Sequence, residues 1–260
     1  MLRGLWTAAT GMSCQQMNID TIANNLANVN TNGFKKSRVN FQDLMYQDIR
    51  TPGSATSSGG QLASGIQVGM GAKVVAVEKI FLQGDYSQTQ NQLDMAIEGK
   101  GFFKLLNNGV EVYTRSGAFT MDKGGYISNS NGDHLQPEFA VPITATSITI
   151  DSGGNLVASD SSGKPLSSVQ LQLFDFPNPA GLKSIGRNLF VPSDGSGDPV
   201  QGNPGVNEFG TISQGFLEMS NVDVVGEMIN MIMAQRAYET GAKVIQAGDD
   251  MLQMANNLKR

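Results

Sequence analysis

The sequence predicts an α+β protein: N- and C-terminal helices paired as a coiled coil, with an inserted all-β domain and an extended Gly/Ser-rich loop segment. Three observations carry this expectation. At the start of the chain Leu5, Met12, Ile19 and Leu26 recur every seven residues, as do Ala8, Gln15, Ile22 and Val29, the a and d lines of a heptad repeat. At the end Leu217, Val224, Met231, Tyr238, Ile245 and Leu252 also recur every seven, flanked by Met228, Ile232, Ala242 and Val244. Between them, short apolar runs alternate with turns that hold many of the 31 glycines.

The first helix, within residues 1–33, spans roughly 37 Å from Leu5 to Val29 at about 1.5 Å per residue and carries one apolar stripe. A lone helix of this kind does not hold itself in water, so it needs the helix expected over 217–260. Gly226, Gly241 and Gly248 cost that second helix roughly 1 kcal/mol each. Gly241 and Gly248 lie seven residues apart, on one line that lets another backbone approach. From Leu5 to Asn30 the only charge is Asp20, and the polar face is Asn, Gln, Thr and Ser. Such a surface suits protein contacts better than an anionic membrane, and it points to copies of the same chain as cover.

The turn-rich stretch Asn28 to Gly33 ends the first helix. Residues 34–71 read as an extended connection with a long loop. Phe34, Val39 and Phe41 alternate with polar residues, a short helix is expected around Asp43 to Ile49, and Thr51 to Gly65 has the Gly/Ser/Thr composition of a flexible loop. Residues 72–216 form the β-rich domain. Strand patterns run over Ile66–Phe81, Leu93–Ile97, Phe102–Leu106, Val110–Arg115, Ala118–Met121, Tyr126–Ser128, Ser147–Ile150, Asn155–Ser159, Val169–Phe176 and Asn188–Val191. Asn107-Asn108-Gly109 is a hairpin signal, and Asp122 to Gly125 and Asp151 to Gly154 read as further turns.

The residues that would carry chemistry are sparse. The net charge of −5 and a single basic cluster, Lys35, Lys36 and Arg38, argue against nucleic acid. The one cysteine, Cys14, excludes an internal disulfide and sits off the expected seam, as a small residue on a packed or partly exposed helix face. The sole histidine, His134, lies in an expected turn without a nucleophile motif and reads as a solvated side chain. Asp94 with Glu98 and Asp249 with Asp250 are isolated carboxylate pairs, and Asp151 to Asn155 lacks the ligand pattern of a calcium loop. Gly99-Lys100-Gly101 and Ser162-Gly163-Lys164 do not make a phosphate loop. No catalytic, cofactor-binding or metal-binding residue is assigned, and no cofactor is expected. The chain starts without a continuous apolar signal region, and no apolar run reaches the ~18–20 residues of a membrane span. The expectation is a protein that is soluble, or exported without loss of a leader.

Ala23-Asn24-Asn25-Leu26-Ala27-Asn28-Val29-Asn30-Thr31-Asn32-Gly33-Phe34-Lys35 resembles the signature of bacterial flagellar rod and hook proteins, the axial family, with Asn24, Asn25, Leu26, Asn28, Thr31, Gly33 and Phe34 carrying the match. Leu217 to Leu252, with Ser220-Asn221-Val222-Asp223 and Met233 to Glu239, is similar to the same family's C-terminal helix. Tyr46, Ile49, Arg50, Pro52 and Gly53, then Leu62 and Gly65 within Leu62 to Gly71, look like a segment characteristic of distal-rod members. Ile97 to Phe103 and Tyr113 to Phe119 resemble the β domain of that branch, and Asn178 to Gly210 matches least.

The resemblance implies a non-enzymatic subunit that polymerises into the rigid, straight, hollow distal rod. That rod transmits torque from motor to hook and forms part of the export channel. It places the subunit in the basal body across the periplasm, exported by the flagellar type III apparatus without a cleavable signal peptide. Implied partners are further copies in a helical tube, proximal rod subunits, the hook protein or hook–rod junction, the P and L ring proteins and the export apparatus, with no nucleic acid and no membrane insertion. Two other readings stand beside it: a proximal rod or hook subunit of the same family, and a cell-envelope glycan-binding or glycan-cleaving β module.

Overall fold

The computed structural model describes residues 2–51 and 64–257. Helix α1 runs from Leu2 to Ala27 and helix α2 from Val224 to Asn257, and among the described residues between them the regular structure is β apart from one 3-10 turn at Pro179–Gly181. The chain divides into two compact units. One comprises Met1–Leu26, Ser37–Glu78 and Val224–Arg260, the other Ala27–Lys36 and Lys79–Asp223. The segment expected as a mere connection, together with the strand that follows it, thus belongs with the terminal helices.

In the first unit the connection forms two short ribbons. Strand Ser37–Asp43 pairs with Ala72–Lys79, and Tyr46–Arg50 pairs antiparallel with Ile66–Gly69, with an irregularity between Asp48 and Arg50. Leu44 donates its backbone N–H to Gly71 at 2.8 Å and joins the two. The short helix expected around Asp43 to Ile49 is therefore a strand. A facing strand supplies backbone partners there, and that outweighs the local helical preference. Gly71 packs against Thr7 and Thr10 of α1, and a side chain at Gly71 would collide with Thr10. Pro52, Gly53, Leu62 and most of the expected loop lie outside the described residues.

The second unit holds an antiparallel seven-stranded sheet. Its strand order is Lys183–Gly186, Leu189–Val191, Val110–Thr114, Phe103–Asn107, His134–Leu135, Ile127–Asn129 and Phe119–Met121. Strands Ser147–Ile150, Asn155–Ser159 and Pro165–Gln170 make a separate meander. Three two-stranded pairs complete it: Leu173–Asp175 with Val200–Gly202, Met95–Glu98 with Thr211–Gln214, and Tyr86–Gln88 with Phe216–Glu218. The alternation of inward apolar residues builds the main core, where Met95, Ile97, Leu105, Leu156 and Leu173 are fully buried. A second cluster gathers Phe102, Tyr113, Phe174, Phe176, Leu182 and Phe190, its rings meeting edge-on.

Leu217 corrects an expectation. It lies buried in strand Phe216–Glu218, not in the last helix, which starts at Val224 after Asp223, a residue type favoured at a helix N-cap. The heptad count through Leu217 is coincidental, because a period of seven in one residue does not separate a strand from a helix. Val29 is likewise outside its helix. It stands in the turn after Ala27, which Thr31 closes by donating its N–H to Asn28 at 3.1 Å.

Candidate assembly surface

Within the first unit the two helices meet in opposite directions along the chain. Leu5 lies against Gly248, Met12 against Gly241, and Asn25 against Glu227. A methyl group on Gly241 would stand 2.7 Å from Met12 Cγ, and one on Gly248 would stand 2.6 Å from Leu5 Cδ2. Both glycines let the helices approach closely, and a side chain at either would displace the neighbour that faces it. The line of α2 nearest α1 is Glu227, Ala234, Gly241 and Gly248, seven residues apart, and three of the four are buried.

The seam residues read from the sequence divide. On α1, Ile22 is buried and Leu5, Ala8, Met12, Ile19 and Leu26 are half-buried. On α2, Met231 and Ile245 are half-buried, whereas Val224, Met228, Tyr238 and Leu252 are exposed. Small residues, not the larger apolar ones, mark the contact, because the larger side chains would hold the axes apart. Beside it, Gly4, Ala8 and Gly11 of α1 and Ala237, Gly241 and Val244 of α2 help line an open groove of about 440 Å³. Cys14 is buried, on a packed helix face.

The motif residues shape the end of α1. Asn25 is 1 % exposed. Its Oδ1 accepts the Ser37 N–H at 2.9 Å, and its Nδ2 donates to Ser37 O at 2.9 Å and to Glu227 Oε2 at 3.3 Å. One amide thus holds the first ribbon strand and the first turn of α2, where a carboxylate also suits the helix dipole. Asn24 is exposed and Leu26 half-buried. Thr31 Oγ1 donates to Asn28 Oδ1 at 3.2 Å. Gly33 adopts φ +71° and donates its N–H to Glu218 O at 2.8 Å, with the Ser116 backbone so near that a methyl group would lie 2.6 Å from its nitrogen. Phe34 is buried under the Lys79 ammonium, 5.1 Å from the ring centroid. Among the loop residues, Tyr46, Ile49 and Arg50 are exposed on the ribbon and Gly65 is half-buried just before its second strand.

Sequence reasoning missed a buried ion cluster in the second unit. Lys35 Nζ contacts Glu218 Oε1 at 2.5 Å and Arg115 Nε contacts Glu218 Oε2 at 3.0 Å, all three side chains at most 5 % exposed. Lys35 also donates to Leu82 O at 2.7 Å, Arg115 to Gly101 O at 2.6 Å and Gly99 O at 2.8 Å, and Gly84 N–H to Glu218 Oε1 at 3.1 Å. Burial pushes the Lys35 ammonium below its ordinary pKa, against the opposing pull of Glu218. No local signal marks the cluster: Arg115 stands between Thr114 and Ser116, and only Glu218 is flanked by apolar residues, Leu217 and Met219.

Among the described residues no three His, Cys, Asp or Glu side chains are grouped to hold a metal ion, and no helix is long and apolar enough to cross a membrane. His134 is not a solvated turn residue. It sits half-buried in a two-residue strand, its ring 5.5 Å from Tyr126 and its Nδ1 buried without a hydrogen bond. A cavity of about 460 Å³ beside Phe81, Phe102, Phe176 and Pro177 has Arg115 in its wall, but that guanidinium is engaged with Glu218 and two carbonyls.

Comparison with known proteins supplies the context. Residues 5–35 match the family model described as flagella basal body rod protein, residues 96–158 the flagellar hook protein FlgE/F/G D1 domain, and residues 213–258 the flagellar basal body rod FlgEFG protein C-terminal. The chain is 47 % identical over 264 residues to the flagellar basal-body rod protein FlgG of Borreliella burgdorferi, covering 100 % of both chains. It is 44 % identical over 261 residues to that of Caulobacter vibrioides, covering 99 % of this chain and 100 % of the relative. With that of Bacillus subtilis it shares 38 % over 265 residues, covering 100 % of both.

Proposed function

The chain belongs to the family of flagellar basal-body rod proteins, and on that premise we propose that its copies polymerise through the terminal helices into the rigid, straight, hollow distal rod. It is a structural subunit, not an enzyme. The rod transmits torque from motor to hook and encloses part of the export channel. The helices act as an antiparallel coiled coil whose remaining surface is covered by neighbouring copies, and the ribbon with its loop, residues 46–65, adds contacts between subunits.

One observation carries this reading. From Val224 to Gln235 the only charged residue of α2 is Glu227, and it is buried. Val225, Met228, Ile229, Ile232 and Met233 are all about half exposed or more, Val225 at 67 %. A helix that is apolar all round belongs in an interior, and a single copy does not provide one. Covering those five side chains stabilises an assembly by about 1 kcal/mol or more each, since roughly half of each is already out of water.

The same reading names proximal rod subunits, the hook protein or hook–rod junction, the P and L ring proteins and the type III export apparatus as partners. It places the subunit across the periplasm, exported without a cleavable signal. Electron microscopy of the purified protein under assembly conditions tests it. Straight hollow tubes are expected, and a protein that stays monomeric or forms only amorphous aggregate under all such conditions overturns it.

A further inference from the structure

The strand pair Tyr86–Gln88 with Phe216–Glu218 is three residues long, and all of Tyr86–Gln88 is exposed. Register in a sheet is ordinarily set by burying one face of each strand. Here one partner has no buried face and Leu217 is the one apolar side chain buried in the other, so apolar patterning gives little to choose between registers. Glu218 adds a charged determinant. In the observed pairing, Phe216 opposite Gln88 and Glu218 opposite Tyr86, its carboxylate meets Lys35, Arg115 and the Gly84 N–H. A slip of one residue turns Glu218 to the other face and leaves two buried cations without an anion.

Burying three ions is a poor way to gain stability, because leaving water costs them more than their attraction returns unless every hydrogen bond is made. What ions supply and apolar side chains do not is one fixed partner per donor. Neighbouring bonds extend the same network. Gly33 N–H donates to Glu218 O, Lys36 N–H to Asn221 Oδ1, and Ile80 N–H to Lys36 O, while Asn221 Nδ2 donates to Ile80 O and Leu82 O. Residues 33–36, 80–84 and 218–221, beside the points where the chain enters and leaves this unit, are thus tied to one another.

We propose that the Lys35–Glu218–Arg115 cluster is a register lock. It holds Phe216–Glu218 in one pairing and thereby sets where the chain leaves the unit for α2, a positioning role in assembly and not a source of stability. Only the assembly consequence rests on the rod-subunit reading. The register itself is measurable in the monomer.

The test compares the full chain with a variant carrying Lys35→Met, Arg115→Met and Glu218→Met, both in a Cys14→Ser background with Gln88→Cys and Phe216→Cys. Expected are an unchanged or higher thermal midpoint for the triple variant, a yield of the 88–216 disulfide that falls to about a tenth or less, and irregular or absent tubes when the same changes are made without the added cysteines. An undiminished disulfide yield, or straight tubes from the triple variant, overturns the lock. So does a triple variant that fails to fold while Lys35→Met alone, which keeps the Arg115–Glu218 pair, crosslinks as fully as the parent. If the parent forms no tubes, the rod reading fails, while the crosslink still decides the register.

Discussion

Asn25 and Glu227 meet across the two terminal helices, Nδ2 to Oε2 at 3.3 Å, both side chains buried and 202 residues apart in sequence. Asn25 also satisfies both backbone groups of Ser37. Its loss leaves the buried Glu227 carboxylate and the two part-buried backbone groups of Ser37 without their partner. Asn25→Ala is expected to destabilise the subunit by about 2–4 kcal/mol, read by urea denaturation. Asn25→Asp sets two carboxylates together, and its deficit should grow as pH rises through the carboxylate range.

Gly241 tests the close approach of the helices. Gly241→Leu should raise the helical propensity of α2 by up to about 1 kcal/mol yet force Met12 aside, since even a methyl group there stands 2.7 Å from its Cγ. The expected outcome is retained helical circular dichroism, a lowered thermal midpoint and no tubes by electron microscopy.

Ile232 separates assembly from folding. It is 51 % exposed in the single chain, so Ile232→Asp should change subunit stability by no more than about 1 kcal/mol while abolishing tube formation. Leu26→Asp and Ile245→Asp, at half-buried positions, should lower the stability of the subunit as well as block assembly. Sedimentation and thermal melts on the same samples distinguish the two behaviours.

The ribbon and loop are expected to stiffen the polymer. Deleting Asp48 to Gly65 removes most of the exposed pair Tyr46–Arg50 and the connection to Ile66–Gly69. The subunit should still be exported, and its tubes should bend more. Tubes as straight as the parent's in electron micrographs would show that the segment contributes nothing to stiffness.

Lys35 and Lys79 predict a pH dependence of definite sign. Burial lowers both below the ordinary lysine value of 10.5, so between the lowered values and 10.5 the unfolded chain binds more protons than the folded one. Their contribution to stability therefore rises with pH in that window. Tyr113, pushed up to about 12 chiefly by burial, acts oppositely once the unfolded phenol ionises near pH 10. Lys35→Met should flatten the rising limb in denaturation measured from pH 7 to 10.

The sequence by itself determined the features that depend on consecutive residues: a helix at each end, the turn after Asn28, the strand-and-turn rhythm between, and a motif specific enough to place the chain among axial proteins. It also showed that no cysteine or histidine cluster exists for catalysis. Only the tertiary structure decided which line of α2 faces α1. The heptads through Met231 and Ile245 are as regular as the line of Glu227, Ala234, Gly241 and Gly248, and the choice lies in how near the backbones come. It decided that Leu217 is in a strand, because pairing with Ser87 lies 130 residues from anything a local pattern can weigh. The cluster of Lys35, Arg115 and Glu218 was equally invisible, since Lys35 and Glu218 are 183 residues apart and a charged side chain looks solvated until the fold removes its water.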